Sequence, residues 1–122
     1  MEHVAILGAS NNPSRYSYKA QKKLVENGHA VYPISLKEEE VLGVKSYSSL
    51  QEIDHEIDTI TVYINPTHFH KVVEDIIALK PRRAIFNPGS ESPEEMEILE
   101  KTGISTEAAC TLVLLATNQF ED

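Results

Sequence analysis

The chain has 122 residues, 41% of them hydrophobic, and a formal net charge of −8 at pH 7. This length predicts one domain over residues 1–122, with a real core but no room for a second catalytic domain. The charge argues against nucleic acid as a partner, because binding to a phosphate backbone needs a basic face. A small anionic ligand remains compatible with it, since distant surface charges are screened beyond ~10 Å at physiological salt.

The cysteine count and the lengths of the apolar stretches predict the compartment. Cys110 is the one cysteine and cannot form an internal disulfide, and no basic segment followed by an apolar run opens the chain. Apolar stretches all fall short of the ~20 residues that cross a bilayer. We therefore expect a cytoplasmic protein with no membrane partner.

Strands and helices alternate along the chain, which predicts an α/β fold with a doubly wound, Rossmann-like parallel sheet. The segment 36–50 reads as an irregular connection, with helical turns expected at 38–41 and 49–53. Strands are predicted at about 3–8, 29–34, 58–64, 84–87 and 104–108, and helices at about 17–27, 65–81, 92–103 and 111–116. We expect the strand order 3-2-1-4-5, with ligand bound at the carboxyl ends between the first and fourth strands.

Several helix boundaries have sequence signals. Gly28 is placed to end the first helix in a left-handed conformation. Asn65 and Pro66 are a cap and a first residue for the helix at 65–81, which carries one apolar stripe. Ser92 and Glu95 have capping-box spacing. The stripe consists of Phe69, Val72, Val73, Ile76 and Ile77.

The most informative motif is the segment 8–17, a small polar loop between the first strand and the first helix. Gly8, Ala9 and Ser10 allow a ligand to approach the backbone closely, and the helix that follows directs free N–H groups at an anion. The pattern predicts a phosphate-binding loop. A structural turn, with Ser14 or Ser17 as the helix cap, is the alternative.

This loop departs from the dinucleotide fingerprint. Ser10 and Pro13 stand where that pattern has its second and third glycines. The acid that binds a ribose 2′-hydroxyl, expected about 20 residues on, is also absent from 33–37. NAD is therefore disfavoured as the ligand.

Over nearly its full length the chain resembles a known family, the small stand-alone CoA-binding proteins whose fold matches the N-terminal domain of the succinyl-CoA synthetase α subunit. The resemblance is collinear. It lies in Gly8-Ala9-Ser10 with Pro13, Arg15 and Ser17, in Pro33-Ile34 leading to Leu36-Lys37, in the segment 41–50, and in Ile57-Asp58.

The resemblance implies that the chain binds coenzyme A or an acyl-CoA without catalysis. Arg15 and Lys37 would be the cations for the ribose phosphate and the diphosphate. Asn65 and Pro66 would flank the adenine. Ser10, Asn11, Asn12 and Pro13 would line the pyrophosphate loop, and the pantetheine arm would lie along Asn87, Pro88 and Gly89. Gly8, Ala9 and Ser17, which belong to the same motif, complete the predicted site.

The chain departs from the family pattern in two loops. Ile64-Asn65 stands where such proteins usually have an arginine after the third strand, and Asn87-Pro88-Gly89 replaces a more apolar loop. The phosphorylated histidine of the synthetases belongs to a further domain and has no counterpart here.

Several of these residues allow another interpretation. Arg15 could instead form a surface salt bridge. His68 and His70 diverge by about 200° on a helix and cannot share a metal ion, so no metal site is expected. Cys110 is more simply a small buried residue than a reactive one. The alternative functions are a small NAD(P)- or other nucleotide-dependent enzyme and an interaction protein with a vestigial pocket.

Overall fold

The computed structural model describes residues 1–121. Its central layer is a five-stranded parallel sheet, accompanied by a two-stranded antiparallel hairpin. The strands are β1 (His3–Leu7), β2 (Ala30–Ile34), β3 (Glu40–Val41), β4 (Val44–Lys45), β5 (Thr59–Val62), β6 (Arg83–Phe86) and β7 (Ser105–Ala108). The helices are α1 (Tyr16–Glu26), α2 (Pro66–Phe69), α3 (Val73–Leu79), α4 (Pro93–Lys101) and α5 (Thr111–Ala116), with a 3-10 turn at Leu50–Glu52.

Helices cover both faces of the sheet. Successive residues of a strand point to opposite faces, so Val4 and Ile6 of β1 join one core cluster together with residues of α1 and α5. Ala5 and Leu7 join a second cluster, to which α3 and α4 contribute. The predicted α/β class, with a doubly wound parallel sheet of five strands, is confirmed.

The predicted strand order is wrong in one place. The observed order is β2-β1-β5-β6-β7, so the third predicted strand, β5, lies between β1 and β6 and not outside β2. All four residues of β5 are fully buried, as an interior strand requires. Pro33 of β2 has no N–H to donate, which suits an edge strand. The reversal of strand order therefore falls between β1 and β5, and not between the first and fourth predicted strands.

The segment after β2 also differs from its prediction. In place of a helical turn at 38–41, β3 and β4 form a hairpin whose two turn residues, Leu42 and Gly43, have φ of 52° and 76°. Two positive φ angles match the twist that tight hairpins require. The second predicted turn is present as the 3-10 turn, where Glu52 accepts hydrogen bonds from Ser48 N and Ser48 Oγ.

The helix predicted over 65–81 is broken into α2 and α3. Asn65 caps it as expected, since its Oδ1 accepts from Thr67 N at 2.9 Å. The break lies within the segment 67–73, which is rich in weak helix formers. Six of its seven residues are Thr, His, Phe or Val. Residues 70–72 therefore lie outside both helices.

Charges at the amino ends of the strands are paired and buried. Glu2 and Arg83, each 5% exposed, form an ion pair of 3.3 Å. Thr59 Oγ1 donates to Glu2 at 2.6 Å and accepts from Arg83 Nε at 2.9 Å. Arg82 adds a second ion pair to Glu2 at 3.0 Å. The buried charges at this end of the sheet are thus neutralised by partners of opposite sign.

At the carboxyl ends, β1 and β5 approach closely at Gly8. Tyr63 N donates to Leu7 O at 2.9 Å, and Gly8 has φ of +95°. A Cβ on Gly8 would lie 3.1 Å from Ile64 Cγ2 and 3.2 Å from the backbone C and O of Tyr63. The missing side chain makes room for β5.

We expect Gly8→Ala to destabilise the protein more than Gly89→Ala. Both glycines have φ near +90°, which costs an alanine about 1–2 kcal/mol, but a Cβ on Gly89 meets no atom within 4 Å. Crowding at Gly8 adds about 1–3 kcal/mol. Urea denaturation of both variants measures the free energy of unfolding. Equal losses of stability would show that the backbone at the β1–β5 contact shifts readily to accommodate a new Cβ atom.

Candidate ligand-binding site

A cleft of about 1140 Å³ lies where β1, β2, β5 and β6 end. The loops that follow these four strands all contribute to its walls, as the carboxyl edge of a doubly wound sheet does in ligand-binding domains. Its lining residues are Leu7, Gly8, Ala9, Ser10, Ser14, Arg15, Tyr16, Ser17, Ile34, Ser35, Leu36, Lys37, Ser48, Ser49, Leu50, Tyr63, Ile64, Asn65, His68, Lys71, Val72, Asp75, Pro88, Gly89 and Ser90.

The structure brings most of the predicted site residues to this cleft. Those that line it are Gly8, Ala9, Ser10, Arg15, Ser17, Lys37, Asn65, Pro88 and Gly89. The other predicted residues, Asn11, Asn12, Pro13, Pro66 and Asn87, stand outside the lining. Three of these five hold the surrounding loops in place through side-chain hydrogen bonds.

The loop between β1 and α1 is shaped by its own side chains. Ser10 Oγ accepts from Asn12 N, and Asn12 Oδ1 accepts from Ser14 N, both at 3.0 Å. Arg15 N donates to Asn12 O at 3.0 Å and brings the chain into α1. The loop therefore has a defined form with no ligand contact needed to hold it.

The amino end of α1 opens on the cleft without a cap. Arg15 is its N-cap residue and makes no side-chain capping hydrogen bond, and the first turn holds no acid. Ser14 Oγ donates to Asn12 instead, and Ser17 lies inside the helix. The alternative of a serine-capped structural turn therefore lacks its hydrogen bond, and the positive end of this 11-residue helix is uncompensated.

Asn11 connects the loop to the hairpin. Its Nδ2 donates to Glu40 O at 2.7 Å, and its Oδ1 accepts from Leu42 N at 2.9 Å. The three consecutive acids that begin at Glu38 lie in this neighbouring segment, but none of them lines the cleft.

Asn87 uses both ends of its amide inside the protein. It is 2% exposed, and its Nδ2 donates to Thr61 Oγ1 at 2.7 Å and to Val62 O at 2.9 Å. Its Oδ1 accepts from Thr111 N at 2.8 Å. The side chain thus joins β5, β6 and the start of α5 directly beneath the cleft.

The cleft is locally basic in an acidic protein. Three fixed cations line it, Arg15, Lys37 and Lys71, against one carboxylate, Asp75. All three cations are exposed, and within residues 1–121 none has an ion pair or a side-chain hydrogen bond. His68 lines the same wall as Lys71. Sequence reasoning missed Lys71, although it lies one helical turn beyond His68 in the segment that Asn65 opens.

An apolar wall faces these cations. Leu7, Ile34 and Leu50 are buried beneath the cleft, whereas Tyr16 and Leu36 at its rim are 68% and 88% exposed. Such a mixture of apolar surface and a few charges suits an amphipathic small molecule. These residues were also missed, because apolar strand ends resemble ordinary core.

Tyr63 closes the floor of the cleft next to Gly8. Burial raises the pKa of its hydroxyl to about 12, so the phenol is neutral at pH 7. Cys110 is half-buried at the N-cap of α5 and lies outside the lining. Among residues 1–121 no group of three or more His, Cys, Asp or Glu side chains is arranged to hold a metal ion, and no helix is long and apolar enough to cross a membrane.

The parallel sheet, its loop-to-helix transition and its basic cleft define a Rossmann-like ligand-binding domain. Comparison with known sequences makes the class specific. The profile of the CoA binding domain matches residues 2–116, and the chain belongs to that family.

Two curated proteins illustrate the relationship. The α subunit of the ADP-forming acetate–CoA ligase II of Pyrococcus furiosus is 44% identical over 69 residues, which are 56% of this chain and 15% of that subunit. An uncharacterized Bacillus subtilis protein, YneT, is 28% identical over 102 residues, covering 84% of this chain and 76% of that protein. The chain thus spans a small part of the ligase and most of YneT.

A solved structure agrees over the whole length. The crystal structure of an uncharacterized protein superposes with a TM-score of 0.88 at 39% identity, covering 98% of both chains. The arrangement of the five strands and their helices therefore occurs in an experimental structure of a close-sized relative.

We expect Asn87→Ala to destabilise the fold by about 2–4 kcal/mol. Its loss leaves the buried Thr111 N–H without its acceptor and Thr61 without one of its partners. Chemical denaturation measures the change, with Asn27→Ala as the control, since Asn27 is exposed and its amide bonds only Lys23 O. A loss no larger than that of the control would show that the network is dispensable.

Proposed function

We propose that this chain binds coenzyme A, or an acyl-CoA, in the cleft at the carboxyl edge of the sheet. Membership of the CoA-binding domain family supports the ligand class. The observation that carries the assignment to this cleft is its electrostatics, since three unpaired cations and an uncapped helix end converge there in a chain of net charge −8. Phosphate groups are what such a site binds best.

The family resemblance supports a placement of the ligand along these loops. The diphosphate lies against the loop from Gly8 to Ser17, where the free amides of α1 and the Arg15 guanidinium are available. Lys37, at the end of β2, binds the ribose phosphate. The adenine lies beside Asn65 and Pro66. The pantetheine arm leaves along Pro88 and Gly89, above Asn87.

Five residues of the site act through backbone or loop shape in this proposal. Gly8 and Ala9 line the loop with little or no side chain, and Asn11 and Asn12 fix it by hydrogen bonds to the hairpin and to Ser14. Pro13 lies between Asn12 and Ser14 in the turn. These residues keep the amides of the loop and of α1 in position before the ligand arrives.

We propose that binding is the whole activity. The reaction named for the ADP-forming ligases belongs to proteins of which this chain matches a small fraction, and the one thiol, Cys110, stands outside the cleft lining. That free cysteine also fits the reducing cytoplasm predicted from the sequence.

Two other functions make different predictions. An NAD-dependent enzyme would need an acid for the ribose 2′-hydroxyl at the end of β2, where Lys37 follows Leu36. Asp75, the one carboxylate of the lining, belongs to α3 instead. An interaction protein with a vestigial pocket would leave the unpaired cations without a ligand. Both remain separable from CoA binding by experiment.

We expect CoA to raise the melting temperature of the protein. A ligand at 100 times its dissociation constant adds about 2.7 kcal/mol of stability. A thermal-shift series with CoA, acetyl-CoA, NADH and NADP at sub-millimolar concentration measures it. A shift with NADH or NADP and none with CoA would contradict the proposal, and the absence of any shift would favour the interaction protein.

We expect Arg15→Ala to weaken CoA binding by about 1.5–3 kcal/mol, the usual loss for a charged hydrogen bond to phosphate. Isothermal titration calorimetry measures it. Lys23→Ala is the matched control, because Lys23 lies on the outer face of α1 and pairs with Glu26 at 3.4 Å. Unchanged affinity in Arg15→Ala would remove this residue from the site.

A further inference from the structure

Lys71 is the cation of the cleft that no sequence motif identifies. It lies between α2 and α3, outside both helices, and lines the cleft together with His68 and Val72. Its side chain is exposed and has no ion pair among residues 1–121.

An acid stands at the right spacing to neutralise Lys71. Asp75 follows four residues later, and charges four apart on a helix normally meet. Glu97 and Lys101 have that spacing within α4 and form an ion pair of 3.4 Å. Lys71 and Asp75 form no ion pair, and their order is the reverse one, with the base before the acid, which is the less favourable order for such a pair.

Asp75 is instead engaged elsewhere. Gln51 Nε2 donates to its Oδ1 at 2.8 Å and connects α3 to the 3-10 turn. Asp75 is therefore held by a neutral amide, and Lys71 has no acid partner among residues 1–121.

The strand order puts Lys71 on the side of the site opposite Lys37. The loops that carry these lysines follow β5 and β2, which flank β1 on its two sides. Neighbouring strands are about 4.8 Å apart, so β2 and β5 are separated by about 10 Å. A ligand lying on the β1 loop therefore has one lysine on each side and Arg15 between them.

We propose that Lys71 binds a phosphate group of the nucleotide. This assignment rests on the proposed function. Coenzyme A offers two sources of the same chemistry, the diphosphate and the 3′-phosphate of the ribose. Either group is an anion that a lysine ammonium binds as a point charge.

The test is Lys71→Met, which removes the charge and keeps the length of the side chain. We expect CoA affinity to fall roughly tenfold, as for the loss of one charged contact, and to be largely restored in Lys71→Arg. Lys22→Met is the matched control, an exposed lysine of α1 outside the cleft, and it should leave affinity unchanged.

Repeating the titrations with dephospho-CoA distinguishes the two phosphates. A loss confined to CoA assigns Lys71 to the 3′-phosphate, and a loss with both ligands assigns it to the diphosphate. The loss should also shrink in high salt, which screens an exposed charge, whereas a packing defect would not respond to salt.

The outcomes separate this inference from the function on which it rests. If wild type binds CoA and Lys71→Met binds it equally well, Lys71 is no part of the site and only this assignment fails. If wild type itself binds no CoA at any accessible concentration, both fail. Loss of affinity that Lys71→Arg does not restore would also overturn the assignment, because charge would not be the cause.

Discussion

The approach of β5 to β1 at Gly8 sets the geometry on which the cleft depends. Tyr63 N bonds Leu7 O, and the backbone of Tyr63 lies 3.2 Å from where a Gly8 side chain would begin. This contact brings the loop after β5 against the loop after β1. The wall that carries Asn65, His68 and Lys71 therefore faces the amino end of α1, and the two loops enclose one site.

Charge is distributed unequally between the two ends of the sheet. At the amino ends, Glu2 and Arg83 are buried and saturated by each other and by Thr59. At the carboxyl ends, Arg15 and the two cleft lysines have no acid partner among residues 1–121. Cations that lie together in a cleft repel one another and do not stabilise the folded state. The paired charges at the amino ends therefore stabilise the fold, whereas the unpaired cations at the carboxyl ends are consistent with the anion site proposed there.

Local signals in the sequence were sufficient for most of the fold and for the central loop of the site. Apolar runs and punctuation by Gly28, Asn65 and Pro93 place the strands and helices within one or two residues of their observed ends. The hairpin and the helix break were not predictable from apolar spacing, because the first depends on positive φ at Leu42 and Gly43 and the second on summed weak propensities. Asn87 shows a different limit, since a polar residue at a strand end has the same sequence signature whether it meets a ligand or a buried backbone amide.

The error in strand order misplaced the loop after the third predicted strand relative to Arg15, although Asn65 and Pro66 of that loop were predicted in the site. In any parallel sheet the carboxyl ends lie on one edge, so the loops that could hold a ligand are known even when the order is not. The order decides which loops are neighbours. Placing the third predicted strand outside β2 would put its loop two strands from β1. In the observed order β5 is adjacent to β1, and Tyr63, His68 and Lys71 enter the site. Pro33 carried this information, because a residue without an N–H marks β2 as the edge, and an edge at β2 leaves β1 open to β5 on its other side.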